Sequence, residues 1–320
     1  MRLFHQLGLL EEFKQVGAAH PGIQMRGPDD QIIVEMPNPG LGPDTPGNGG
    51  AMRPALGQML SDKVVEEGAN VRLGTTYTDI DINTGKVTFN DGSEATYNLI
   101  VGADGFWSKT RDMLCQNAPK AIFVKQRVWR AIVDRPSHLP TVSMWMGPHL
   151  KASINHVSDT QSYLFLTEDK QKNVKKPIEN FVRDLKALLL KFASPSLQKF
   201  AAELGDHSAI DYRPLENLLV GKPWHKGRVV LIGDAVHATT PHLASGALMG
   251  MEDGYVLAEE LAAQATREEA LTAFTERRFD RCRMVVENSG RLAEIEVEGG
   301  SHEEHGNLMR DSFIALAQPI

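Results

Sequence analysis

Two short stretches of this chain place a carboxylate where an apolar run gives out. Residues 227–241 read GRVVLIGDAVHATTP and residues 98–111 read NLIVGADGFWSKTR. Asp234 follows Gly233 in the first, and Asp104 precedes Gly105 in the second. An aspartate at the carboxyl end of a strand, with a helix beyond it, lies in the crevice where open α/β sheets bind ligands. Plainer readings stand beside this one. Asp-Gly is a common turn dipeptide, Asp234 could cap a helix, and Gly246-x-x-x-Gly250 could be a close packing surface. His237 and His242 flank the first stretch, where each could be a base or a packed ring. Tyr212, in IDYRPL, could face a substrate or cover the edge of a sheet core.

The elements that must position these residues are read from periodicity and breakers. Leu3, Leu7, Leu10 and Phe13 have helical spacing over residues 1–16, and Gly17 is a stop signal. QIIVEM (31–36) reads as a strand, and PNPGLGPDTPGNGG (37–50) as a loop. Residues 53–67 predict a helix through Leu56, Leu60 and Val64, followed by strand-like runs broken at NTG and NDG. VWRAIV, TVSMWM and SYLFLT predict a middle sheet, with an amphipathic stretch at 178–191. Residues 252–291 predict two helices. The expected division is 1–50 (helix, strand and loop), 51–118, 119–224 (middle sheet) and 225–320.

Composition removes several classes. The chain has 320 residues, 42% apolar and 23% charged, which suits a globular protein with a core. A formal charge of -7 without a Lys/Arg cluster argues against a nucleic-acid partner. Cys115 and Cys282 show no zinc spacing, so no metal is expected, and a reducing, cytoplasmic setting fits. No apolar run reaches the roughly 20 residues of a spanning helix.

Taken together, the two aspartate stretches resemble fingerprints of the class A FAD-dependent aromatic monooxygenases, which share the para-hydroxybenzoate hydroxylase fold. The likeness runs from about residue 53 to 291. It implies an α/β protein: a doubly wound, glutathione-reductase-like FAD-binding domain with a mixed β-sheet substrate domain. It implies that Asp234 accepts hydrogen bonds from the ribityl hydroxyls of FAD, a suitable task for an acceptor with several lone pairs. The family's P-x-x-G-Q-G-x-N reads PHLASGAL here. Pro241 and Gly246 match, while Ala244, Ser245 and Leu248 replace Gly, Gln and Asn. Backbone contacts from Gly246, Ala247 and Leu248 at a helix N-terminus remain implied. Asp104, Gly105, Ser108 and Arg111 match the family's DG motif, placed near the pyrophosphate and tied to nicotinamide-cofactor binding. Arg53 matches an arginine that reaches the FAD phosphates.

The implied chemistry is reduction of FAD by NAD(P)H, trapping of dioxygen as a flavin hydroperoxide, and oxygen transfer to a small aromatic substrate. The resemblance places that substrate near Trp129, Met144, Trp145 and Tyr212. Tyr212 and His237 are the candidates for a base. Relatives open with a strand, G-x-G-x-x-G and a helix, whereas MRLFHQLGLLEEF resembles the segment immediately C-terminal to that unit. The expected FAD domain is therefore N-terminally incomplete. The alternatives are a non-catalytic or truncated flavoprotein remnant that acts as a binding protein, and a flavin halogenase. A homodimer is left open.

Overall fold

A computed structural model describes residues 1–37, 40, 42 and 45–320. Within the predicted loop at 37–50, Asn38, Pro39, Leu41, Pro43 and Asp44 lie outside the described residues.

Helices α1 (Arg2–Gln6) and α2 (Leu10–Val16) replace the single N-terminal helix expected. They part at Gly8, whose φ of +70° is outside the helical range. Strands β1 (Gly17–His20), β2 (Gly22–Arg26) and β3 (Ile32–Pro37) come next in the chain. β4 (Asn48–Ala51) pairs antiparallel with β1, although its NGGA sequence reads as loop. Its glycines are steric: a Cβ on Gly50 would lie 2.6 Å from the His156 carbonyl oxygen, and one on Gly49 2.8 Å from that of Ala18. Helix α3 (Arg53–Glu66) matches its prediction.

Beyond it lie the meander β5 (Tyr77–Ile80), β6 (Lys86–Phe89) and β7 (Glu94–Thr96), then β8 (Ile100–Gly102) and helix α4 (Lys109–Leu114). The middle of the chain forms β9 (Ile122–Asp134), β10 (Val142–Gly147), β11 (Leu150–His156) and β12 (Gln161–Asp169). Helices α5 (Phe181–Leu189) and α6 (Pro195–Glu203) lead to β13 (Ile210–Asn217), β14 (His225–Lys226) and β15 (Val229–Leu231). Helices α7 (Asp234–His237), α8 (Gly246–Ala263), α9 (Arg267–Glu298) and α10 (His302–Ala317) complete the chain.

The chain divides into two compact units. The first holds Met1–Val71 and Lys125–Pro214. The N-terminal segment expected to stand apart joins the middle sheet, because β2 pairs in parallel with β10 and carries β3 at the edge. The resulting seven-stranded sheet runs β13-β9-β12-β11-β10-β2-β3. One face packs on α5 and α6: Trp129, Trp145, Leu164, Leu166 and Tyr212 share a core with Leu185, Leu189, Leu197 and Phe200. Strand alternation sends the neighbouring residues to the opposite face. There Arg130, Phe165, Ser153, Met144 and Met25 form one continuous rung.

The second unit holds Arg72–Val124 and Leu215–Ile320. β8 and β15 pair in parallel with Ile100, Val101 and Gly102 opposite Val229, Val230 and Leu231. Fully buried Val229, Val230 and Leu231 pack with Val256 of α8 and with Leu271 and Phe274 of α9. Continuous burial of this kind is what a parallel strand under helices requires.

Candidate flavin site

The parallel pair brings both aspartate stretches to one end of the same sheet in the second unit. β8 stops at Gly102 two residues before Asp104, and its neighbour β15 stops at Leu231 three residues before Asp234. The Ile232 amide still donates to the Gly102 carbonyl at 3.1 Å, so the two loops leave the sheet side by side. Buried Arg111 ties them together, with Nη1 donating to the carbonyls of Phe106 (2.9 Å) and Ala235 (3.3 Å).

The two carboxylates differ in what they already hold. Asp104 accepts Ser108 Oγ at 2.5 Å, Thr110 N at 3.0 Å and Thr110 Oγ1 at 2.9 Å. Burial pushes this carboxyl up, but these hydrogen bonds outweigh it and hold it below the ordinary carboxylate range. Asp104 thus shapes its own loop, whose turn depends on Gly105 at φ +78°. Asp234 is exposed and has no hydrogen-bond or ion-pair partner among the described residues. An unoccupied acceptor at a strand end is what a polyol needs.

The start of α8 is open in the same way. Ser245 stands at its N-cap, yet its hydroxyl donates to the Leu243 carbonyl at 2.7 Å and caps nothing. The first helical bond runs from Met249 N to Ser245 O, so the amides of Gly246, Ala247 and Leu248 keep their donors for another acceptor. Pro241 opens the 3-10 turn that delivers the chain to this helix. Gly250 faces Gly233, where an added Cβ would make ordinary van der Waals contact at 3.6 Å from Gly233 Cα. Gly246 and Ala247 stay partly or fully exposed. A free carboxylate, three orphan amides and a glycine turn with φ +62° at Gly233 fit a flavin.

Behind the turn lies a charged cluster that the sequence does not reveal. His237, 1% exposed, meets Asp253 Oδ2 through Nε2 at 2.6 Å. Burial alone would lower the pKa of this ring; the Asp253 carboxylate, with Cys282 beside it, raises it to about 10. His237, Asp253 and Cys282 bring three donor atoms within 4.8 Å of one another. Arg278 stands among them, with Nε 2.8 Å from Asp253 Oδ1 and Nη2 3.6 Å from Cys282 Sγ. Its permanent charge and that of the raised His237 ring already face the Asp253 carboxylate, which disfavours a metal ion there. His242 is likewise buried, between Thr240 (2.9 Å) and Glu296 (3.4 Å).

The remaining two residues singled out lie in the first unit. Arg53 is exposed at the first position of α3. Tyr212 is buried on the helix-covered face, stacked on Trp129 at 4.0 Å, with its hydroxyl donating to Glu168 at 2.6 Å. Burial and the Glu168 carboxylate push this phenol far above its ordinary range. Its oxygen is committed to the core. Of the substrate wall expected at Trp129, Met144, Trp145 and Tyr212, only Met144 lies on the face away from the helices.

Parallel strands ending on a free carboxylate beside an uncapped helix suit a flavin, and the fold is that of the para-hydroxybenzoate hydroxylase-like flavoproteins. The chain belongs to the FAD binding domain family, whose model matches residues 1–289, and so to the class A FAD-dependent monooxygenases. It is 29% identical over 298 residues to 2-heptyl-3-hydroxy-4(1H)-quinolone synthase of Pseudomonas aeruginosa, covering 90% of this chain and 75% of that protein. It is 27% identical over 217 residues to the FAD-dependent urate hydroxylase of Klebsiella pneumoniae, covering 65% and 55%. The crystal structure of Klebsiella pneumoniae HpxO with FAD and uric acid superposes with a TM-score of 0.83 at 21% identity, over 98% of this chain and 82% of that one. No helix among the described residues is long and apolar enough to cross a membrane.

Proposed function

We propose that this chain is an NAD(P)H-consuming FAD monooxygenase that hydroxylates a small planar aromatic or heteroaromatic substrate. The observation that carries the reading is Asp234, a carboxylate without a partner among the described residues, at a paired strand end beside three orphan helix amides. FAD, once reduced by NAD(P)H, supplies the dioxygen-activating chemistry. The protein binds and orients. Asp234 takes ribityl hydroxyls, and the amides of Gly246, Ala247 and Leu248 take acceptor atoms of the flavin or its pyrophosphate. Arg53, which has no ion-pair partner among the described residues, takes a phosphate oxygen. The DG loop, kept in shape by Asp104 and Gly105, supports the same end of the sheet.

The substrate ring rests on the sheet face away from α5 and α6. Urate and a quinolone, named for two relatives, are both planar nitrogen heterocycles. On the rung, half-buried Arg130, Phe165, Met144 and Met25 offer an aromatic ring, thioethers and a cation to such a molecule. The half-buried Arg130 guanidinium has no ion-pair partner among the described residues, which favours a substrate carrying an acidic group. Tyr212 and His237 serve in this reading by holding structure, since each is committed to a buried carboxylate.

The test is the visible absorption spectrum of the purified chain during titration with FAD. Asp234→Ala should weaken binding about tenfold or more, because each hydrogen bond lost from an ionised acceptor costs roughly 1.5–3 kcal/mol. Equal flavin retention by the wild type and this variant would overturn the assignment. Substrate-stimulated loss of NAD(P)H absorbance tests the electron donor.

A further inference from the structure

The cluster behind the turn has no task in the binding roles assigned so far. Asp253, 0% exposed on α8, shares its carboxylate among four groups, the weakest of them Cys282, whose Sγ lies 3.9 Å from Oδ1. Oδ2 accepts the Gly233 amide at 2.8 Å and the His237 ring at 2.6 Å, while Oδ1 accepts Arg278 Nε at 2.8 Å. Arg278 continues to Glu252 at 2.8 Å, and Arg281 grips both Glu252 oxygens at 2.9 Å. One carboxylate therefore ties down both ends of the segment that presents Asp234. The Gly233 carbonyl accepts the amides of Val236 (2.9 Å) and His237 (3.0 Å), but the Gly233 amide, at φ +62° and beyond the last paired residue of the sheet, has Asp253 as its partner.

We propose that Asp253 is a positioning residue for the flavin turn: by holding Gly233 and His237 together it fixes where Asp234 and the open end of α8 point. The proposal rests on the flavin reading of Asp234. The charged and titratable groups on the elements packed around α7 are Asp253 and Glu252 on α8, Arg278, Arg281 and Cys282 on α9, and Arg111 on α4. Asp234 is on α7 itself. Among these, Asp253 is the carboxylate in contact with the ring and the largest influence raising its pKa; burial acts the other way. Removing the Asp253 charge should therefore make His237 titrate at or below neutral pH.

The experiment uses the whole chain. FAD affinity is tracked by flavin fluorescence from about pH 6 to pH 9, and exchange of the Gly233 amide is measured in flavin-free protein. Wild-type affinity should be flat over this range. Asp253→Asn should weaken FAD at least about tenfold, acquire a pH dependence near neutrality, and speed Gly233 exchange about tenfold. Cys282→Ser should match the wild type within about twofold. A variant Asp253→Asn with wild-type exchange and wild-type, pH-independent affinity would sink the proposal. If Asp253→Asn does not fold, His237→Gln decides the matter. This variant keeps a donor toward Asp253, so, with the titration extended to about pH 10.5, it should lack the fall in affinity expected of the wild type above about pH 9. Retention of that fall overturns the proposal. A wild type that binds no FAD overturns the flavin reading instead, and the flavin-free exchange comparison still decides whether Asp253 sets the turn.

Discussion

Asp104 and Asp234 occupy near-identical sequence settings, and their hydrogen bonds separate them. Asp104 is saturated by Ser108 and Thr110, so Asp104→Ala should act mainly by loosening its loop, whereas Asp234→Ala should act on FAD. Comparing thermal midpoints with FAD affinities for the two variants checks this. The placement of Gly233 and Asp234 after a strand and of Gly246 at a helix start was legible because strand, turn and helix are local and each leaves a mark in the sequence. Asp253 and Arg278 were not, because partners 25 residues apart on two helices carry no spacing signal, and a Glu-Asp pair inside a helix reads as solvated surface. Tyr212 shows the same limit. Its strand was readable, but its commitment to Glu168 depends on a partner 44 residues away. Tyr212→Phe should leave flavin content and turnover unchanged and cost about 1–3 kcal/mol of stability, measured by denaturant unfolding, because buried Glu168 loses a donor.

At the scale of elements, strands were found where apolar alternation was strong, as in β9, β10 and β12, and missed where other physics ruled. β4 is made of Asn, two glycines and Ala, a composition that sheets avoid, and it pairs with β1 because only glycine permits so close an approach. Gly50→Ala should therefore be destabilising by about 1–3 kcal/mol, since the added Cβ meets a backbone carbonyl that cannot rotate aside. The face on which each strand residue lies was also hidden, because it depends on register with partners distant in sequence. Trp129 and Trp145 look like substrate contacts, yet they point into the helix-packed core; Arg130 and Met144, one residue away from each, point out of it. Arg130→Gln should raise the KM for acidic aromatic substrates about tenfold, with the flavin spectrum unchanged, if the guanidinium binds their charge.

For the molecule as a whole, two buried histidines set opposite limits on the pH range of stability. His20, 6% exposed in the first unit, has its pKa lowered from 6.5 to about 4 by burial, then by His156 and Arg135. A depressed base is neutral when folded, so stability falls as acid drops the pH below 6.5 and continues to fall to about 4. The full loss is about 3 kcal/mol. His237 in the second unit is raised to about 10, so its contribution is complete below 6.5 and fades as pH climbs toward 10. Unfolding midpoints should peak near pH 6.5. His20→Phe should flatten the acid side, and His237→Gln the alkaline side. The alternation of the seven-stranded sheet has a different kind of consequence. Because Trp129, Leu164 and Leu166 keep the fold while half-buried Met25, Met144 and Phe165 stand on the other side of the same strands, the two sets can drift independently. Selection for a new substrate could sample the second set freely, and a combinatorial library confined to those three positions should yield mostly folded proteins with altered preference.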